Sequence, residues 1–192
     1  MPPRVRLGRE AVVEAAAGLA DEEGLEALSL SVLASRLGIR TPSLYNHVDG
    51  LEGLRRELAL LGIRELGRRL GRAAIGKTTD DATFAIARVY REFVKERPGL
   101  YAATVRSSRL SYPEDPAIQA AEGEVLETVL AVLASYGLHG DDALHAARGF
   151  RSTVHGFATL EVAGGFGIPL DLDESFERLL RTFVAGLREG EP

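Results

Sequence analysis

Five polar side chains fall within seven residues of this chain: Thr41, Ser43, Tyr45, Asn46 and His47. Hydroxyl, amide and imidazole groups of this kind donate and accept hydrogen bonds without a permanent charge. They suit the gripping of phosphate oxygens and the reading of base edges in a DNA groove. Leu44 and Val48 lie among them, four apart, so a helix through this stretch packs one face and shows the other. Ser31 and Arg40 flank the stretch on the same side. With Pro42, these make a candidate DNA-contacting set of Ser31, Arg40, Thr41, Pro42, Ser43, Tyr45, Asn46 and His47. The chemistry on offer is recognition rather than turnover.

Two short helices must hold that set. Ser29 is placed to cap a helix over about residues 30–37, and Gly38 to stop it. Thr41 is expected to cap the next helix, with Pro42 at its first position, where a missing N–H costs nothing. Leu33, Ala34 and Leu37 form the packing face of the first of the pair, and the small Ala34 lets the two helices cross closely. Residues 28–48 thus read as a helix-turn-helix, whose second helix enters the major groove. A Leu-Gly-Ile turn also occurs in structural hairpins. The alternative is therefore a helical ligand-binding or protein-interaction module that does not touch DNA. Cap, proline, spacing and polar face agreeing in one window favour DNA.

Helical periodicity runs through the rest, with no convincing strand, so the fold is expected to be all-α. A first helix spans about residues 9–23, with Val13, Ala16, Ala17 and Ala20 on one face and Gly24-Leu25 as a left-handed cap. Asp49 and Glu52 resemble a capping box for a long fourth helix reaching about residue 72. Residues 76–81 form a polar break. Further helices are expected over about 81–96 (ended by Pro98-Gly99), 100–106, 117–136, 141–163 and 173–188, the last capped by Asp173, with a loop over 107–116. This divides the chain into a head of residues 1–50, a linker helix to about 75, and a body of residues 76–192.

Charge alone would not suggest a nucleic-acid protein, because the net charge is −5. Residues 1–75 balance at +1 and the remainder at −6, so DNA affinity must come from a few placed groups rather than a broad positive field. Arginine outnumbers lysine 21 to 2. There is no cysteine, which excludes disulfides and thiolate metal sites. The N-terminus has no apolar signal core and no apolar run approaches a spanning length, so a cytoplasmic protein without a membrane partner is expected.

Enzyme chemistry lacks its constellations. His47, His139, His145 and His155 include no i, i+4 pair beside a glutamate, and no phosphate-cradling loop or nucleophile elbow is present. Asp171 and Asp173 have no calcium-loop spacing. A non-enzyme with neither cofactor nor metal is expected.

The last helix has the cleanest apolar stripe. With the helix before it, a four-helix contact between two subunits is expected through Val154, Phe157, Phe176, Leu179, Leu180, Phe183, Val184 and Leu187. Those residues could instead pack within one chain. A homodimer would place two reading helices on half-sites about 34 Å apart. Among Tyr90, Tyr101, Arg106, Arg109, Tyr136 and His155, the candidate contacts for a small molecule are Tyr101, Arg106, Tyr136 and His155, although an ordinary edge-of-core role is the preferred reading of Tyr101 and Arg106, and a hydrogen-bonded interior or interface role that of His155.

The sequence also resembles the tetracycline-repressor-type (TetR) transcriptional regulators. The matching residues are Glu22-Glu23-Gly24-Leu25, Leu33-Ala34, Leu37-Gly38-Ile39 and the run Thr41-Pro42-Ser43-Leu44-Tyr45-Asn46-His47-Val48, within about residues 8–60. The body more loosely resembles the subgroup with a WHG-type C-terminal domain, through Val154-His155-Gly156, Leu160-Glu161, Gly164-Gly165-Phe166 and Asp173-Glu174-Ser175-Phe176, with Val154 where the motif has Trp. The resemblance implies a three-helix DNA-binding head, a linking fourth helix, and a ligand-binding, dimerising body. It implies that Ser31, Thr41, Ser43 and Asn46 approach bases and that Tyr45 and His47 hold phosphates. The partners it implies are a double-stranded operator, a second copy of the chain, and a small-molecule effector that releases the repressor. One departure stands out: many relatives carry a lysine just inside the fourth helix, whereas Asp49-Gly50-Leu51-Glu52-Gly53 has no cation before Arg55 and Arg56. Arg4, Arg6 and Arg9 are the candidates to replace it.

Overall fold

In the computed structural model, residues 8–106 and 114–189 are described, the side chains of Arg106 and Glu189 excepted. Among them every regular element is helical: α1 (Arg9–Glu23), a single 3-10 turn (Leu25–Ala27), α2 (Leu30–Leu37), α3 (Thr41–Leu44), α4 (Gly50–Ala74), α5 (Thr79–Glu96), α6 (Pro98–Arg106), α7 (Pro116–Ala134), α8 (Gly140–Val162) and α9 (Leu172–Glu189). None is long and apolar enough to cross a membrane. Arg4, Arg6 and Arg109, and most of the loop expected at 107–116, lie outside the described residues.

The chain forms two compact units, one within residues 1–63 and 97–118, the other within 64–96 and 119–192. These boundaries fall inside α4, between α5 and α6, and inside α7, not at the polar break of residues 76–81.

In the first unit, α1 packs on α2 and α6, and α2 on α3. Val12, Ala16, Ala17, Leu19 and Ala20 give α1 a fully buried face. Gly24 follows with φ 88° and ψ 150°, so the chain leaves α1 by a positive-φ turn and not through the left-handed helical cap expected there. Helix α6 begins at Pro98, a residue expected to end the preceding helix. Proline is accepted at a first helical position because its absent N–H has no partner to lose.

Two glycines let α6 sit close to its neighbours. A Cβ on Gly99 would lie 2.0 Å from the Ala20 carbonyl oxygen of α1. One on Gly62 of α4 would lie 2.5 Å from Thr104 Cγ2 and 3.1 Å from the Leu100 carbonyl oxygen. The Asp21 carboxylate then accepts from the Leu100 N–H at 2.9 Å and from Arg97 Nε at 2.6 Å. Helix α6 is thereby capped by a side chain borrowed from α1.

In the second unit, α5 packs on α8 and α9, and α8 on α9. Ala143, Ala147, Phe150, Val154, Phe157 and Ala158 line the inner face of α8. The stripe expected to join two subunits is mostly turned to this interior: Val154, Phe157, Phe176, Leu180, Val184 and Leu187 are all buried within the single chain. Amphipathicity shows that a face is buried, not what buries it, and α5 supplies the cover. Leu179 stays exposed and Phe183 half-buried, its ring 3.3 Å from where a Cβ on Gly149 would stand.

The cap of α9 is Asp171, whose carboxylate accepts from the Glu174 N–H at 2.9 Å, and not Asp173. Asp173 instead binds Arg91 Nη1 at 2.7 Å. Arg91 also donates to both Glu161 oxygens at 2.6 and 2.8 Å, and its guanidinium lies over the rings of Phe176 and Phe157 at 4.9 and 5.4 Å. Lys95 adds a second cation to Glu161 at 2.7 Å.

Candidate nucleic-acid interface

Local chemistry builds the reading head. Ser29, with φ −138° and ψ 158°, accepts from the Val32 N–H at 3.3 Å and opens α2. Gly38, at φ 65° and ψ 29°, ends it in the left-handed region, where a side chain would be strained. Helix α3 begins one residue earlier than expected: Arg40 is the N-cap, and Thr41 and Pro42 already lie inside. The regular α-helix is a single turn. The chain continues through tighter bonds, Asn46 N–H to Ser43 O at 3.4 Å and His47 N–H to Leu44 O at 2.8 Å. A short, tightly wound reader of this kind needs packing to hold it, and Leu44 and Val48 provide it, both buried with Leu28, Leu33 and Ala34.

The polar set faces away from that packing. Ser31, Arg40, Pro42, Ser43, Tyr45 and Asn46 are exposed, and Thr41 and His47 half-buried. Tyr45 is 62% exposed, so both its ring and its hydroxyl are open to a partner. Ser31 Oγ lies 3.1 Å from Ser29 Oγ, which ties one candidate contact to the α2 cap.

Cations are less free than the sequence suggests. Arg9 binds Glu57 at 2.7 Å, Arg55 binds Glu52 at 2.9 Å, and Arg56 holds both Glu57, at 2.5 Å, and Asp115. The Arg56 guanidinium and the N–H groups of Ile118 and Ala117 keep the Asp115 carboxyl below the usual carboxylate range. Arg36 grips Glu22 with two bonds of 2.6 Å, fixing α2 to α1 and lowering the Glu22 pKa. Arg9, the one substitute for the missing lysine that lies within the described residues, therefore already has a carboxylate partner. Arg40 has none among the described residues, which leaves it as the cation of the polar face.

The candidate small-molecule residues are dispersed. Tyr101 is buried in the first unit, while Tyr136 and His155 belong to the second; the Arg106 side chain lies outside the described residues. The Tyr136 hydroxyl is engaged by Thr83 Oγ1 and Asp80 Oδ1, both at 3.0 Å, and burial pushes its pKa up to about 12. Burial, with Arg151 nearby, lowers the pKa of the half-buried His155. The contacts that sequence reasoning missed are those of Asp21, Arg97 and Gly99. The close Pro98-Gly99 pair is their one visible signal in the sequence, where it points to a helix stop.

A helix-turn-helix with a buried back, a polar front and an all-helical body defines a DNA-binding transcriptional regulator. Residues 83–183 match the tetracyclin repressor-like C-terminal domain, a span that includes Val154-His155-Gly156 and the other body residues quoted above. The chain is 39% identical over 182 residues to an uncharacterized HTH-type transcriptional regulator of Mycobacterium tuberculosis (strain ATCC 25618 / H37Rv), covering 95% of this chain and 82% of that one. It is 35% identical over 188 residues to an uncharacterized HTH-type transcriptional regulator of Bacillus subtilis (strain 168), covering 97% and 96%. Its fold is shared with a solved protein of unknown function from Rhodococcus sp. RHA1, at a TM-score of 0.82 and 23% identity over 98% of this chain and 100% of that one. The chain belongs to the tetracycline-repressor-like family of helix-turn-helix transcriptional regulators.

Proposed function

We propose that this regulator is a repressor, bound to a palindromic operator as a homodimer and released by a small-molecule effector. The observation that carries the reading is the exposed Tyr45-Asn46 pair mounted directly on the fully buried Leu44. Packing holds the residue at the back, so the polar residues in front are presented at low entropic cost. Ser31, Thr41, Ser43 and Asn46 approach base edges, Tyr45 and His47 hold phosphates, and Arg40 supplies the cation. Residues 1–50 read DNA, α4 links, and residues 76–192 bind the effector and the second copy. Because α8 and α9 bury their strongest stripe internally, the second copy meets their outer residues, Leu144, Leu160 and Leu179, which are exposed.

Release follows from differential binding. An effector that favours one position of α6 also favours one position of α1, because Gly99 and Asp21 join the two helices, and of α4, because of Gly62. The test begins with selection of bound sequences from a random DNA pool, followed by binding of the selected site against salt and against small molecules. The expected result is a palindrome whose binding is lost with Tyr45→Ala in a folded dimer, and an effector that lowers operator affinity without dissociating the dimer. Selection of no sequence by a folded protein would overturn the reading.

A further inference from the structure

Half of the exposed large apolar side chains in the described chain lie within twenty residues: Leu160, Val162, Phe166, Ile168, Leu170 and Leu179. Ile168 and Leu170, at 72% and 68%, are among the most exposed of all. They belong to the connection between α8 and α9. Concentrations of this kind mark surfaces that meet another molecule.

The connection is held in shape. Arg91 binds Glu161, before it, and Asp173, just after it, so one buried guanidinium closes both ends. Inside, Phe166 stacks on Phe157 with ring centroids 4.8 Å apart, and the Gly165 N–H donates to the Leu160 carbonyl at 2.7 Å. Residues 163–170 carry no charge.

We infer that residues 163–170 form an arm that docks on a second copy of this chain, with Arg91 as the residue that positions it. The inference rests on the dimer proposed above and deepens it. A neutral apolar arm has nothing to offer the phosphates of DNA. It can meet its own copy without opposing like charges, as a two-fold contact requires. It also continues the outer faces of α8 and α9 through Leu160, Val162 and Leu179. The exposed Arg148, Arg151 and Arg181 of those helices would repel their own copies if placed on the axis, whereas the arm would not.

Sedimentation equilibrium of the full chain tests this with four variants. Ile168→Ser/Leu170→Ser changes the exposed tip alone and is expected to weaken the dimer at least about tenfold with the helical circular dichroism unchanged. Leu144→Glu, on the outer face of α8, reports on the dimer face itself. Arg91→Met is expected to weaken the dimer and to speed chymotryptic cleavage at Phe166 and Leu170. Should Arg91→Met fail to fold, Asp173→Asn replaces it, since Asp173 is 82% exposed at its side chain and its loss opens only one end of the clasp. A wild-type chain that stays monomeric overturns both the dimer and the arm. A wild-type dimer weakened by Leu144→Glu but untouched by Ile168→Ser/Leu170→Ser overturns the arm alone, and leaves the tip to a different protein.

Discussion

Asp21 closes α6 from outside it: its carboxylate receives the Leu100 N–H at 2.9 Å while also holding Arg97 Nε at 2.6 Å. The last turn of the first head helix and the first turn of α6 therefore share one anion. Removing it leaves a helix N-terminus uncapped and an arginine without its closest carboxylate. Asp21→Ala is expected to lower stability by about 1–3 kcal/mol. Asp21→Asn, which keeps an acceptor for Leu100, should cost less. Urea denaturation of the two variants checks the order.

Gly99→Ala should be harsher. The added methyl would meet the Ala20 carbonyl at 2.0 Å, and backbone atoms at 2.1 and 2.6 Å stand just behind it. Neither helix can yield by a rotamer change, so α1 and α6 must part. A loss of about 2–3 kcal/mol is expected, with operator affinity falling further than for a control such as Gly123→Ala, where nothing lies within 4 Å. Thermal melts and DNA titrations of the pair measure both effects.

At the interface, Tyr45→Ala and Arg40→Ala should differ in kind. Tyr45→Ala removes a large exposed ring and is expected to weaken operator binding about tenfold or more at every salt concentration, without altering the melt. Arg40→Ala removes a cation, so the slope of log K against log salt should flatten by about 1 for each phosphate that is no longer neutralised. Fluorescence anisotropy over a salt series distinguishes the two.

The Arg91 clasp has an acid limit. Hydrogen bonds and charge from Arg91, with help from Lys95, hold the Glu161 pKa below its ordinary value. A carboxylate depressed in the folded state contributes stability above its unfolded pKa of about 4.3 and loses that contribution as pH falls through the lower folded value. Stability of the wild type is expected to decline in that window. Glu161→Gln should cost about 3 kcal/mol at neutral pH, because both partners are nearly buried. It should also show a smaller further loss on acidification. Guanidinium melts from pH 7 to pH 3 test the difference.

Where structure is local, the sequence foretold it closely. The ends of α2 fall where expected, since Ser29 and Gly38 act on their own neighbours. Pro98 and Gly99 misled because their roles are tertiary: one opens a helix, and the other clears space under a carbonyl 79 residues away. Asp171, not Asp173, caps α9, because the side chain of Asp173 answers to Arg91 on another helix. The polar front of the reading helix was legible residue by residue. The pairing of Arg9 with Glu57 and of Arg56 with Asp115 was not, because those partners lie 48 and 59 residues along the chain.

That pairing bears on life inside a cell. Weak attachment to arbitrary DNA is almost wholly a matter of cations displacing counterions from phosphates. A head whose described arginines are mostly answered by its own acids holds random sequence feebly. Few copies are then sequestered across the chromosome, and a larger share is available to search for the operator. Such a regulator needs few copies to occupy its specific site.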